Sequence, residues 1–155
     1  MKKYSIIGII IFLIGTYIYF DTQSVEIDET MYGESDLKEG FNELEFEIKQ
    51  PTYFPEEIKI RGINIITHDE EQVIAHVHGS SSNGKGFDYY ASKVELSHSE
   101  NFDWEEIKLE DKNALISRRE NETTIKWEDD GLTYELNSGA TLDEESLIVI
   151  AESFE

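Results

Sequence analysis

The sequence predicts an α+β protein: an N-terminal transmembrane helix, then a mainly antiparallel β-sheet with a C-terminal α-helix packed on it. Three observations lead there. An uncharged run from Tyr4 to Phe20 follows Lys2 and Lys3. Apolar and polar residues then alternate between frequent turn signals. The last segment changes to a helical period.

At ~1.5 Å per residue, a helix over residues 4–20 reaches roughly 25 Å, the short edge of what spans a bilayer core. Tyr17, Tyr19 and Phe20 stand at its far end, where aromatic rings suit the membrane–water boundary. The two lysines before the run put the N-terminus in the cytoplasm and the bulk outside, so residues 1–20 read as a signal-anchor of a single-pass cell-membrane protein. A cleaved signal peptide is the competing reading and would make the protein secreted. Thr22 and Ser24 fit the small-residue cleavage pattern poorly. Both readings place residues 21–155 outside the cytoplasm.

Residues 21–40 are polar and acidic and read as a juxtamembrane linker with room for a short strand or helical turn. Residues 41–155 read as the extracytoplasmic domain. Leu44, Phe46 and Ile48 alternate with glutamates, which predicts a half-buried strand ending at Pro51. The stretch PTYFP is a stiff extended connector. Ile58 and Ile60 share one face, and Ile63 and Ile65 continue the alternation out of phase, which predicts a β-bulge at Gly62. Val73, Ala75 and Val77 then face one way, and Ile74, His76 and His78 the other.

After the loop SSSNGKG, FDYYASKVELS reads as the next strand. Shorter strands follow around 104–109, 113–118 and 123–128. Asp129 to Gly131 is a tight turn signal, so TTIKWE and LTYELN form a hairpin. In the final segment Thr141 and Glu144 match a capping box, while Leu147, Ile150, Ala151 and Phe154 make one helical stripe. This helix has no Lys or Arg, as a membrane-surface helix would want, so the sheet is its expected partner.

Charge narrows the function. The chain has 13 Lys and Arg against 34 Asp and Glu, a formal −21. Such a surface repels phosphate backbones, so nucleic acid is not an expected partner. The plain meaning of the excess is a solvated, self-repelling surface. The absence of cysteine removes disulfides, zinc–thiolate sites, thiol nucleophiles and an acylated anchor cysteine.

Two stretches carry a resemblance. QPTYFPEEIKIRG resembles the opening, and IKWEDDGLTYELNSGATLDEESLIVIAESF the closing motif, of an uncharacterised extracytoplasmic domain family. The family occurs in Gram-positive, spore-forming bacteria, in anti-sigma-factor-like and lipoprotein-carrier-like membrane proteins. Glu57 and Ile58 stand where it usually has Gly-Tyr. The resemblance implies a β-rich binding or regulatory domain outside the membrane and assigns no catalytic residue.

Chemistry-bearing groups are few. His76 and His78 form an H-x-H pair, and on a strand both rings point the same way. Such a pair holds zinc or copper when a third ligand arrives, with His68 or His98 as candidates. The plainer alternative has both rings facing water while the valines face the core. Acids at 68–71 and 128–130 lack calcium-loop spacing, and the glycines around Lys85 lack the phosphate-loop pattern. No catalytic or cofactor-binding residue is assigned and no cofactor is expected.

The expected function is a membrane-anchored binding or regulatory module without catalysis. It touches the membrane through residues 4–20 and engages a protein partner outside the cytoplasm, through the sheet face away from the helix or through a strand edge. The alternatives are an exported metal-dependent hydrolase using His76 and His78, and a carrier or sensor for a lipid-like ligand. The carrier predicts a continuous apolar pocket between helix and sheet.

Overall fold

The computed structural model describes residues 27–54, 58–96, 102–110, 112–138 and 142–155. Along the chain these form β1 (Ile27–Gly33), α1 (Leu37–Asn42), β2 (Lys59–His68), β3 (Glu71–Ser80), β4 (Gly86–Ser92), β5 (Glu105–Leu109), β6 (Lys112–Arg119), β7 (Glu122–Asp129), β8 (Leu132–Asn137) and α2 (Glu144–Glu152). The anchor segment 4–20, Thr141 and His98 lie outside the described residues. Among those described, no helix is long and apolar enough to cross a membrane.

The strands make one antiparallel sheet of eight, in the order β1-β2-β3-β4-β8-β7-β6-β5. It consists of two meanders, β1–β4 and β5–β8, joined where β4 pairs with β8. The register lines up the apolar residues. Ile63, Val77, Tyr89, Leu136, Ile125 and Ile116 stand opposite one another across six strands, and all are fully buried. One strand step away, Ile65, Ala75, Ala91, Tyr134, Trp127 and Ala114 form a second row on the same face. Period-two alternation in each strand is what puts both rows in one layer.

Three elements roof this layer. At one end α1 lies on β1 and β2. Gly40 permits that approach, because a Cβ there would come within 2.6 Å of the Ile63 side chain and 2.7 Å of Tyr32. At the other end α2 packs on β5, β7 and β8, burying Leu147, Ile150 and Ala151. Phe154, just past the helix, meets Tyr89 and Trp127 edge-on.

Residues 43–50 depart from the expected strand. They form no strand; Leu44, Phe46 and Ile48 pack as an extended strap against the core. The alternation is real, but its partner is the roof side of the core and not a neighbouring strand. Gln72 fastens the strap, donating to the Glu43 carbonyl and accepting from the Glu45 amide, while the Lys49 amide donates to the Tyr134 hydroxyl at 2.9 Å. Its end pairs with the tail: the Gln50 and Glu155 backbones exchange two hydrogen bonds, and Pro51 bridges to Phe154.

Other details follow the residues closely. The register shift between Ile60 and Gly62 is the bulge that the change of phase predicts. In the β7–β8 turn, Asp130 and Gly131 have φ of 50° and 81°, the positive pair that an Asp-Gly hairpin turn requires. The cap of α2 differs from the expected box. Asp143 is the N-cap, its carboxylate accepting from the Ser146 amide at 2.7 Å, which holds its pKa below the ordinary value. The acidic stretch 21–40 contributes β1 from residue 27 and most of α1.

Candidate functional site

The face of the sheet turned away from the helices is polar. Across it run Asn64, His76, Tyr90, Glu135, Lys126, Leu115 and Glu106, each opposite the next. At the β6–β7 end, Phe102 and Trp104 lie over Arg119 and Lys126. At the β3–β4 end the face carries a compact cluster.

The β3–β4 hairpin builds that cluster. Its loop holds the register through Ser81, whose amide donates to the Lys85 carbonyl at 2.8 Å, with Gly84 at φ 83°. The register then sets His78 opposite Asp88 and His76 opposite Tyr90. His76 Nε2 and His78 Nδ1 both approach Asp88 Oδ1, at 2.9 and 3.0 Å. A carboxylate only accepts, so the proton of each neutral ring sits on the nitrogen facing Asp88. Nδ1 of His76 and Nε2 of His78 are then the acceptor nitrogens. The Tyr90 ring stacks on His76 with centroids 4.3 Å apart, which fixes the imidazole plane.

Burial opposes ionisation of Asp88, but the hydrogen bonds from His76 and His78 outweigh it and hold its carboxyl below the ordinary value. Burial, together with the charges of Asp88, Glu135 and Glu122, pushes the Tyr90 phenol up. Beside the cluster lies a shallow cavity of about 340 Å³, bounded by Met31, Arg61, Asn64, His76, His78 and Asp88 among others.

His76 and His78 therefore share a face and point the same way, as their spacing implies. Their common partner is Asp88, which the histidine spacing alone did not single out. Counting outward from the SSSNGKG loop would have found it, because Ser80 opposite Gly86 brings His78 opposite Asp88. His68 is elsewhere, at the end of β2 beside Asp69 and roughly 14 Å along the strand from Asn64. Among the described residues no group of three or more His, Cys, Asp or Glu is placed to hold a metal ion.

The acid clusters considered for calcium form turns. Asp69 and Glu70 make the β2–β3 turn, and Asp130 with Gly131 the β7–β8 turn. Next to the latter, Asp129 takes Lys49 at 2.9 Å and Lys112 at 3.3 Å, tying the strap to the sheet. Burial opposes the Asp129 charge, and the two lysines more than offset it.

A sheet with one face roofed by two helices and a strap, and the other lined by polar residues of which Ser117, Thr124 and Glu135 are buried, defines an α+β domain. The chain belongs to the family described as a domain of unknown function (DUF4367), which matches residues 48–154. The match begins beyond β1 and α1, so both lie outside it. No curated protein and no solved structure matches the chain.

Proposed function

We propose that this protein is a membrane-anchored, extracytoplasmic module that binds or regulates a protein partner without catalysis. The observation that carries this reading is the His76–Asp88–His78 cluster with Tyr90 stacked on it. Hydrogen bonds and stacking order these side chains before any partner arrives, which lowers the entropy lost on binding. The cluster presents two imidazole rings, a carboxylate and a partly exposed aromatic ring, with the exposed Met31 close by. Aromatic residues and methionine are favoured in protein interfaces.

The uncharged run behind Lys2 and Lys3 supports the anchor, and the resemblance to extracytoplasmic domains of Gram-positive, spore-forming bacteria supports the location. A photo-crosslinking residue at position 90, in intact cells, tests the reading. One defined protein should be captured there, and not from position 149 on the outer side of α2. The hydrolase alternative makes a different forecast. Stoichiometric zinc in the purified full-length chain, lost in His76→Ala/His78→Ala together with a hydrolytic activity, would overturn the non-catalytic reading.

A further inference from the structure

The two edges of the sheet are unlike. The β5 edge is short, carries Lys108, and ends beside α2, where the Glu110 amide donates to Glu152 Oε1. Shortness, an edge lysine and a neighbouring element are the usual protections against pairing with another strand. The β1 edge is neither short nor guarded by a lysine, and the element beside it, α1, packs on its core face against Tyr32. The strand runs seven residues, Ile27–Gly33, in unbroken register with His68–Gly62 of β2, without bulge, proline, Lys or Arg. Among the described residues nothing pairs with its outer side, because β1 is the first strand in the sheet order.

Its side chains suit an added strand of one charge. Ile27 and Met31 are 67% and 72% exposed and, with Glu29, point to one face. Asp28 points to the other. An acid therefore stands on each face of β1, and Asn64 Nδ2 fixes the Glu29 carboxylate at 2.9 Å. A second copy of the chain would bring another formal −21 against this one, which opposes self-pairing.

We infer that the outer edge of β1 takes up an extended, basic segment of a partner protein as a ninth strand. The inference rests on the reading of the domain as a binding module. Backbone hydrogen bonds supply affinity, and consecutive basic residues on the added strand meet Glu29 on one face and Asp28 on the other. Ile27 and Met31 provide apolar contact for the residues between them. Since β1 lies outside the residues matched by the family, this surface belongs to the part of the chain that precedes the shared domain.

The test is titration of a short Lys-Val peptide with two consecutive lysines at its centre, Val-Val-Lys-Lys-Val-Val, into the isotope-labelled full-length chain in micelles, followed by amide chemical shifts. A Glu-Val peptide serves as control. The Lys-Val peptide should shift the amides of Ile27–Gly33 first, and its binding should weaken as salt is raised. Asp28→Asn with Glu29→Gln should weaken binding roughly two- to thirtyfold, as expected for two exposed charge contacts. Met31→Lys, at an exposed position that leaves the fold intact, should weaken it as well. Equal binding of the Glu-Val peptide, shifts confined to His76 and Tyr90, no binding, or concentration-dependent pairing of β1 with itself would each overturn the inference. None of these outcomes decides the crosslink at position 90, so the two readings fail separately.

Discussion

Phe154 meets Trp127 edge-on with ring centroids 5.0 Å apart, and meets Tyr89 in the same way at the same distance. One side chain beyond α2 thus touches both meanders, since Trp127 belongs to β7 and Tyr89 to β4. Replacing it by alanine leaves a cavity against two large rings. Phe154→Ala should cost about 3–5 kcal/mol in denaturant unfolding. Val149→Ala, on the exposed side of α2, should stay within about 0.5 kcal/mol. Equal effects would mean that the tail does not hold the core together.

Tyr89 is fully buried, and its hydroxyl has no hydrogen-bond partner among the described residues. Burial accordingly drives its phenol pKa strongly upward. A buried hydroxyl without a partner loses hydration and gains nothing in exchange, at a cost of about 1–3 kcal/mol. Tyr89→Phe should therefore raise the unfolding midpoint or leave it unchanged. A loss above about 1 kcal/mol would show that the hydroxyl is bonded in solution.

The β2–β3 turn places two non-glycine residues at positive φ, Asp69 at 50° and Glu70 at 67°. Left-handed backbone costs an L-residue with a Cβ roughly 1 kcal/mol, and glycine avoids it. Glu70→Gly should stabilise by about 0.5–1 kcal/mol, whereas Glu70→Val should destabilise. Thermal unfolding of the pair gives the ordering directly.

Asp88 predicts an acid response. Its folded-state pKa lies below the ordinary 3.8, so the unfolded chain binds the proton more tightly. Its contribution is complete above the unfolded value and is lost as pH falls through the lowered folded one. Between about pH 5 and pH 2, wild type should lose more stability than Asp88→Asn, measured by denaturant midpoints across that range. Parallel curves would mean that the histidines do not stabilise the carboxylate.

How much of this was legible depends on where each residue's partner lies. Alternation in 58–65 and 73–77, the bulge at Gly62, the Asp130–Gly131 turn and the stripe of Leu147, Ile150 and Ala151 are local signals, and each element they predict is present. Phe154, the fourth residue of the stripe, lies past the helix and bridges to Pro51. The strap misled because Leu44, Phe46 and Ile48 bury one side as a strand does, while no strand lies beside them. A strand exposed on both faces, such as β1, needs no apolar alternation and so leaves none to read. The role of Asp88 depends on cross-strand register, which residue spacing within one strand does not contain. The acidic N-cap was visible, but a threonine two residues earlier fitted the capping-box pattern, and only backbone geometry separates the two.

The join between β4 and β8 has a consequence for synthesis. A chain that emerges N-terminus first completes the β1–β4 meander while β8, α2 and Phe154 are still to come. Until then the β4 edge is unpaired, and Tyr89 lacks both Leu136 beside it and Phe154 above it. Such long-range pairing is intrinsically slow to form. A chain still lacking its last segment therefore exposes a bare β4 edge, the kind of edge that pairs with other chains, and docking of that segment closes it.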